Sequence, residues 1–275
     1  MIWLNGDLCE GEAAISADDR GLLLGESVFE TLLLKHQIPQ FFAAHLNRLV
    51  ASCGALGLDC PYDASELRDA LMRLLAVENP PARAALRVTV TGGNGGRGLV
   101  PQTGGKANLL MQISMPPPAP QTLKLVDCDI IRLAGQTIMA HKTGQYVDNI
   151  LARRQALAGG GDEAVMCNQH GRIACAAAGN IFILRDAHLL TPPVSDGALP
   201  GIIRGALLAL AEVDGLAVAE AELTLADLAR AEAIFVTNSL NGVTPAGYCA
   251  NNAVSAAQKK QGLIINEALP EFDNF

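Results

Sequence analysis

A proline-rich segment near the middle of the chain constrains the fold most strongly. Residues 115–121 read MPPPAPQ, and proline lacks the N–H group that a helix interior or a central strand requires. A run of this kind is typical of a stiff, extended connector. It predicts a smaller N-terminal α/β domain at residues 1–114, a linker at residues 115–121 and a larger C-terminal domain at residues 122–275.

Composition narrows the class of protein. Half of the 275 residues are apolar and 17% are charged, which allows two sizeable cores and argues against disorder. The net charge of -8 provides neither a basic footprint for nucleic acid nor a polybasic patch for a membrane surface. We therefore expect neither kind of partner.

The N-terminal residues and the cysteines indicate the compartment. The sequence MIWLNGDLCEGEAAIS carries early acids and lacks the basic and apolar regions of a signal peptide. No stretch approaches the roughly 18 apolar residues of a membrane span. Seven scattered cysteines, without a CxxC pair, are typical of reduced thiols rather than of disulfides or a zinc site. We expect a cytoplasmic protein without a structural metal.

Apolar periodicity predicts a mixed α/β (α+β) fold with many antiparallel hairpins rather than a regular parallel array. Helices are predicted at residues 41–56, 64–77, 145–157 and 202–212. Strands are predicted at residues 2–4, 7–8, 25–34, 85–91, 107–114, 123–133, 163–168, 172–176, 180–185, 189–191 and 233–237. Asp63 or Ser65 is expected to cap the second helix.

Lys142 is the first candidate for chemistry. It lies in the sequence QTIMAHKTGQY, residues 136–146, between a predicted strand and a predicted helix. A desolvated lysine favours its neutral amine, which can attack a carbonyl group. Taken alone, the segment is more typical of a surface lysine on a loop, and His141 beside it is more typical of a loop residue than of a catalytic base.

Three further segments could bind a phosphate. Pro200-Gly201 precedes a predicted helix, whose first N–H groups form an anion site. The segment 237–239, Thr-Asn-Ser, offers polar donors after an apolar strand. Arg48 could bind a phosphate through its planar guanidinium. Taken alone, Pro200-Gly201 is more typical of an ordinary helix start, and Arg48 is more typical of a solvated arginine on a helix face.

The glycine-rich loop at residues 92–98, GGNGGRG, does not have the features of a nucleotide site. It lacks the GK[ST] ending of a P-loop, and no acidic residue follows at the spacing of a dinucleotide fold. A hairpin that holds Arg97 near an anionic substrate is the better interpretation.

The order of these motifs resembles the fold-type IV, or class IV aminotransferase, family of pyridoxal 5'-phosphate (PLP) enzymes. The resemblance covers residues 5–245, nearly the whole chain. The matching segments are residues 19–21 (DRG), 25–30 (GESVFE), 45–49 (HLNRL), 95–98 (GGRG), Lys142, 162–164 (DEA), 171–182, 199–204 (LPGIIR) and 237–245 (TNSLNGVTP).

The resemblance implies a two-domain fold like that of D-amino-acid aminotransferases, with PLP between the domains. Lys142 would hold PLP as a Schiff base and then move protons. The predicted cofactor-binding residues are Arg48, Lys142, Cys175, Ile202, Ile203, Asn238 and Ser239. Phe29 and Arg97 are the predicted substrate-binding residues, and the likeness implies a homodimer that acts on a small amino compound.

Within this family, the segments 95–98 and 237–243 and the short chain favour the aminodeoxychorismate lyases. These enzymes eliminate pyruvate from 4-amino-4-deoxychorismate and leave 4-aminobenzoate, a folate precursor. Lys142 would remove the ring proton, and Arg97 would bind a substrate carboxylate.

The chain departs from the family pattern at Cys175. The family has a glutamate five residues before Asn180, where it pairs with the ring nitrogen of PLP. A thiol is a weak partner for a pyridinium, so transamination should suffer more than an elimination that is driven by aromatisation. Ile203 also replaces a threonine that binds phosphate in the family.

Three functions remain open from the sequence. The first is the lyase, the second is an aminotransferase acting on D- or branched-chain amino acids, and the third is a PLP-fold protein without turnover. Cys175 motivates the third function, and the presence of Lys142 and Arg48 opposes it.

Overall fold

The computed structural model describes residues 1–96, 98–100, 106–248 and 254–270. These residues form two compact units, one comprising Met1–Pro117 and His141–Gln145, and the other comprising Pro118–Ala140 and Tyr146–Pro270. The segment that carries Lys142 therefore belongs to the first unit, whereas the predicted boundaries had assigned it to the C-terminal domain.

The first unit contains one antiparallel sheet of six strands in the order β2-β1-β6-β5-β3-β4. Its strands are β1 (Ile2–Leu4), β2 (Asp7–Cys9), β3 (Ser27–Lys35), β4 (Ile38–Pro39), β5 (Arg83–Thr91) and β6 (Asn108–Ser114). Its helices are α1 (Arg20–Leu24), α2 (Phe42–Leu56) and α3 (Ala64–Glu78). The α3 helix begins at a capping box formed by Asp63 and Glu66, which is the first of the two predicted caps.

The core of the first unit lies between the sheet and the helices α2 and α3. Alternate β3 residues, Val28, Leu32 and Leu34, join Leu46 and Leu49 of α2 in one buried cluster. The period of two along the strand and the helical spacing along α2 bring these faces together. Glu30 lies on the same face of β3 as Val28 and Leu32, so its acidic side chain also faces α2.

The segment at His141–Gln145 joins the first unit because it completes an edge of β3. The short strand β4 pairs only with Leu34 and Lys35 of β3, which leaves the start of β3 open on that side. There Thr143 forms a bridge with Val28. Hydrogen bonds from the Phe29 N–H to the Lys142 carbonyl (2.9 Å) and from the Gly144 N–H to the Ser27 carbonyl (2.8 Å) flank this bridge.

The second unit contains a mixed sheet of nine strands in the order β12-β13-β11-β10-β14-β15-β7-β8-β9. Its strands are β7 (Leu123–Asp127), β8 (Glu163–Cys167), β9 (Ile173–Ala176), β10 (Asn180–Arg185), β11 (His188–Thr191), β12 (Glu212–Val213), β13 (Leu216–Glu220), β14 (Ala233–Asn238) and β15 (Gly242–Tyr248). Its helices are α4 (Val147–Ala158), α5 (Ile202–Leu210), α6 (Leu225–Arg230) and α7 (Ala256–Glu267), with short 3-10 helices at Thr137–Ala140 and Val194–Asp196. None of the helices in the described part of the chain is long and apolar enough to cross a membrane.

The predicted mixed α/β class is confirmed, but the predicted strand at residues 123–133 is too long. β7 ends at Asp127, and the chain then leaves the sheet. The Arg132 N–H bonds to the Cys167 carbonyl, and the Arg132 Nε bonds to the Gly197 carbonyl at 3.1 Å. Lys142 therefore follows a 3-10 turn and does not lie at the end of a strand.

Candidate active site

The side chain of Lys142 lies over the aromatic ring of Phe29. The Nζ atom is 4.3 Å from the ring centroid, because residues opposite each other across an antiparallel pair project to the same side. Gly144 allows this pairing, since a Cβ at residue 144 would overlap Ser27 Oγ. The local sheet pairing thus fixes the position of the lysine that the sequence singles out.

A second cation contacts the same ring. The guanidinium carbon of Arg87, on β5, lies 3.8 Å from the centroid of Phe29, within the range of a cation–π contact. Arg87 itself is exposed, so its guanidinium can reach an anion in solvent. Arg87 was not predicted from the sequence, although it and Arg83 are the two charged residues on the more polar face of β5.

Glu30 lies on the helix side of β3 and joins two residues of α2. Arg48 donates from Nε to Glu30 Oε1 and from Nη2 to Glu30 Oε2, each at 2.7 Å. His45 Nδ1 lies 2.6 Å from Glu30 Oε2. Glu30 is only 1% exposed, so this is a buried bidentate ion pair with a third polar partner.

The three groups have well-defined charges at neutral pH. Burial by itself would raise the pKa of Glu30, but the hydrogen bonds from Arg48 and His45 outweigh it and lower that pKa to about 2. Burial lowers the pKa of His45, and the hydrogen bond to Glu30 only partly opposes this effect. An ionised Glu30 requires the neutral imidazole to donate from Nδ1, which leaves Nε2 as an acceptor.

His141 connects the lysine segment to α2, the helix that also carries His45. His45 Nε2 is buried and has no hydrogen-bond partner among the described residues. His141 Nδ1 contacts Oγ of the buried Ser52 of α2 at 3.1 Å. His141 thus anchors the segment that carries Lys142, in agreement with its interpretation as a loop residue.

In the second unit, Asn180 shapes the start of α5. Its Nδ2 donates to the Leu199 carbonyl at 2.8 Å, and a Cβ at residue 201 would overlap its Oδ1. Gly201 is the N-cap of α5 and makes no side-chain capping bond. The first N–H groups of the helix, including those of Ile202 and Ile203, therefore have no intrahelical acceptor.

The end of β14 lies beside this helix start. Thr237 pairs with Asn180 across the two strands, and its Oγ1 is buried without a partner among the described residues. Asn238 accepts from the backbone N–H groups of Leu240 (3.1 Å) and Asn241 (2.9 Å), so it shapes the turn that contains Ser239. The phosphate of PLP fits here, because Gly201 leaves space before the helix and the first helix N–H groups can donate to an anion. The hydroxyl of Thr237, which has no partner among the described residues, could also bond to it.

Cys175 lies in apolar surroundings. It is 5% exposed and belongs to a cluster with Ala152, Ala156, Ala164, Met166, Ala174 and Ala177. Burial raises the pKa of the thiol, and the charge of Arg132 only partly opposes this. Cys175 is therefore a neutral thiol at neutral pH.

The structure groups the predicted residues by unit. Phe29, Arg48 and Lys142 belong to the first unit, and Arg97 lies outside the described residues. Cys175, Ile202, Ile203, Asn238 and Ser239 belong to the second unit. No role for Glu30 was predicted from the sequence, although an acidic residue on the same face of the strand as the apolar residues Val28 and Leu32 could have indicated one.

Comparison with known proteins gives a consistent assignment. The sequence profile described as amino-transferase class IV matches residues 27–247. The chain is 34% identical over 248 residues to a putative branched-chain-amino-acid aminotransferase of Methanocaldococcus jannaschii, which covers 89% of this chain and 86% of that protein.

Two solved structures represent two activities. A putative 4-amino-4-deoxychorismate lyase of Legionella pneumophila superposes with a TM-score of 0.86 at 26% identity, covering 94% of this chain and 96% of that one. The branched-chain amino acid aminotransferase of Escherichia coli superposes with a TM-score of 0.86 at 25% identity, covering 95% and 91%. The chain therefore belongs to the class IV aminotransferase family, whose members are PLP-dependent enzymes.

Proposed function

We propose that this protein is a PLP-dependent lyase that releases pyruvate from 4-amino-4-deoxychorismate and leaves 4-aminobenzoate. The observation that carries this proposal is the neutral, buried thiol of Cys175, where the family resemblance implies a carboxylate facing the ring nitrogen. Without that carboxylate the ring withdraws electrons less strongly. An elimination that gains an aromatic product depends less on this withdrawal than a transamination does.

The first unit would supply the amine and part of the phosphate site. PLP, when bound, supplies an electrophilic carbonyl and an electron-withdrawing ring. Nζ of Lys142 would bond to that carbonyl carbon with loss of water, the substrate amine would then displace it, and the freed Nζ would accept the proton that the substrate ring loses. Phe29 limits the motion of Nζ through the contact at 4.3 Å, and Arg48 would bind the phosphate.

The second unit would supply the remaining phosphate donors. These are the N–H groups of Ile202 and Ile203 and the hydroxyl of Ser239. We add the hydroxyl of Thr237 to this set, because it is buried at 1% exposure and lacks a partner among the described residues. An unpaired buried hydroxyl is costly unless a ligand or a water bonds to it.

Arg87 is the proposed site for a substrate carboxylate. Arg87 is an exposed residue, and its guanidinium lies over Phe29, the ring that Lys142 also contacts. An anionic group near Arg87 would therefore lie beside the reacting amine. Phe29 would form a wall of this pocket, and Arg97 remains a proposed second contact for the substrate.

Aminotransfer is the second candidate function. The 34% identity to a putative branched-chain-amino-acid aminotransferase over 89% of this chain favours it. Arg87 would serve an amino acid or a keto acid equally well, since both carry a carboxylate. Aminotransfer requires a keto acid acceptor, whereas the lyase reaction does not.

We also propose that the active form is a homodimer. The short helix α1 exposes Leu22, Leu23 and Leu24, at 71%, 54% and 44%. Arg20 holds the nearby loop by donating to the carbonyls of Gly98 and Leu99, and Leu99 is also exposed. Several exposed leucines so close in the sequence are typical of an interface between protein chains.

The proposal is tested by mixing the purified protein with PLP and 4-amino-4-deoxychorismate. We expect a visible absorption band that borohydride abolishes, and pyruvate release without an added keto acid. Lys142→Ala should lose both, whereas Lys35→Ala, at the exposed end of β3, should keep both. Absence of the band in the native protein contradicts the assignment of Lys142. A band with turnover only when a keto acid is added contradicts the lyase and supports the aminotransferase.

A further inference from the structure

Glu30 stands out as a buried charge that the proposed reaction does not use directly. It lies on β3 among Val28, Leu32 and Leu34, which all belong to the apolar core. An ionised carboxylate at this depth is strongly unfavourable unless it is paired and hydrogen-bonded. Glu30 therefore requires its two partners on α2, and those partners are in turn fixed by it.

The carboxylate sets the orientation of the Arg48 guanidinium. Nε and Nη2 donate to the two oxygens of Glu30 at 2.7 Å each. A planar guanidinium held along one edge has no rotational freedom left about its last bonds. The direction of Nη1, and of the second hydrogen on Nη2, is therefore determined by Glu30.

His45 holds the carboxylate from the other side. Its Nδ1 lies 2.6 Å from Glu30 Oε2, the same oxygen that accepts from Arg48 Nη2. Because His45 is neutral and sits on the same helix, it orients Glu30 without adding a second positive charge. The three side chains form one rigid unit between β3 and α2.

We propose that Glu30 is a positioning residue for cofactor binding, which orients the guanidinium of Arg48 toward the phosphate with the help of His45. This inference rests on the proposed function, in which Arg48 binds the phosphate of PLP. Glu30 does not touch the cofactor in this scheme. Its negative charge alone would weaken phosphate binding, so the proposal requires the gain from orientation to exceed the loss from charge.

The experiment compares PLP with pyridoxal, which lacks the phosphate but retains the carbonyl that reacts with Lys142. The dissociation constants of both compounds are measured from the visible absorption band for the native protein and for Glu30→Gln, Arg48→Ala and the double variant. The ratio of the pyridoxal constant to the PLP constant isolates the contribution of the phosphate. A general disturbance of the fold changes both constants and leaves this ratio unaffected.

We expect Glu30→Gln to lower this ratio about tenfold, as expected for one badly oriented charge-assisted hydrogen bond. In the Arg48→Ala background the same substitution should have no further effect on the ratio, because Glu30 acts through Arg48. The matched control is Asp196→Asn. Asp196 is fully buried and accepts from Arg172 Nε at 2.7 Å in the second unit, so its variant should lose stability but keep the native ratio.

Three results would overturn the inference. They are an unchanged or increased ratio in Glu30→Gln, an equal decrease in Asp196→Asn, and a full additional decrease in the double variant. If Glu30→Gln does not fold, His45→Gln provides the test, since it keeps both charges and removes only one support. We expect that variant to lower the ratio about threefold, and an unchanged ratio would contradict the proposal.

Failure of the proposed function gives a different result. If the native protein shows no absorption band with either compound, the assignment of Lys142 and PLP is wrong. If the band forms and Arg48→Ala leaves the ratio unchanged, Arg48 does not bind the phosphate. If the native protein shows the band, and the ratio depends on Arg48 but not on Glu30, then only the inference about Glu30 is contradicted.

Discussion

Two buried glutamates, one in each unit, have opposite electrostatic behaviour. Glu30 is 1% exposed, and its pKa is lowered to about 2 because two hydrogen-bond donors from α2 outweigh the effect of burial. Glu163 is 3% exposed, and burial raises its pKa despite an ion pair with Arg153. The side chain of Arg153 is 41% exposed, so solvent screens much of its attraction.

The difference shows that burial alone does not decide the state of an acid. Glu30 accepts hydrogen bonds from His45 and Arg48, whose side chains are 1% and 11% exposed and which hold it from two sides. Glu163 has one solvated partner, together with backbone N–H groups such as that of Ala164. The first unit therefore stabilises a permanent negative charge on the helix-facing side of β3, whereas the second unit disfavours a negative charge on Glu163.

The largest expected effect concerns stability in acid. The lowered pKa of Glu30 means that its contribution to stability is present above the unfolded-state pKa and is lost as the pH falls toward 2. The interval from the ordinary value of 4.5 to about 2 corresponds to about 3 kcal/mol. The free energy of unfolding, measured with urea, should therefore fall more steeply below pH 5 for the native protein than for Glu30→Gln. The fluorescence of Trp3, the single and buried tryptophan, reports on this unit.

Glu163 should behave in the opposite direction. Because its folded-state pKa is raised, its contribution is present below the unfolded-state pKa and is lost as the pH rises through the folded-state pKa. Glu163→Gln should therefore slow amide exchange in β8, relative to the native protein, and the slowing should be larger near neutral pH than in acid. Identical pH profiles for the two variants would remove the distinction between the two glutamates.

The second prediction concerns cofactor affinity. Arg48→Ala should weaken PLP binding roughly 30-fold to 150-fold, since charge-assisted hydrogen bonds to a phosphate are worth about 2 to 3 kcal/mol. Arg153→Ala removes the partner of the other glutamate and should change the affinity less than about threefold, because an exposed ion pair contributes little. Equal losses in the two variants would show that Arg48 has no special role in binding PLP.

The sequence predicted the local structure of these regions well. The apolar periodicity indicated a helix at residues 41–56, and α2 runs over Phe42–Leu56. The strand predicted at residues 85–91 forms the greater part of β5. These elements depend on neighbouring residues, so a pattern in the sequence specifies them.

Long-range pairing could not be predicted in the same way. The segment at residues 141–145 lacks a strand pattern, yet it completes the edge of β3, more than 100 residues earlier in the chain. The strand β15 was missed because Pro245 is disfavoured inside strands. Pairing with β7 begins only at Ala246, so Pro245 precedes that ladder. The roles of Glu30 and Arg87 likewise depend on contacts between separate elements.

The third prediction uses Cys175 to change the reaction. Cys175→Glu introduces a carboxylate where the family resemblance implies one opposite the ring nitrogen, and it should raise the rate of amino transfer from an amino acid to the cofactor about tenfold. Cys175→Gln matches glutamate in size but carries no charge, so it should leave that rate unchanged. The measurement is the loss of the visible band when an amino acid is added in a single turnover. An equal increase with glutamine would assign the effect to shape rather than to charge.

The smallest expected effect extends the comparison from carboxylates to thiols. A hydrogen bond with Cys53 lowers the pKa of Cys60, in the first unit, to about 6, although burial opposes this. Burial raises the pKa of Cys167, in the second unit, to about 11. Because the thiolate is the nucleophile, iodoacetamide at pH 7 should modify Cys60 well before Cys167, as followed by peptide mass spectrometry.

The variant Cys53→Ala tests the cause of this difference. It removes the donor that stabilises the Cys60 thiolate, so the alkylation of Cys60 at pH 7 should slow about tenfold, as expected from a return toward an ordinary thiol pKa of about 8.5. The alkylation of Cys167 is the internal control and should not change. If Cys60 reacts as quickly without Cys53, its reactivity arises from exposure alone. The contrast between the two units would then hold for the glutamates but not for the thiols.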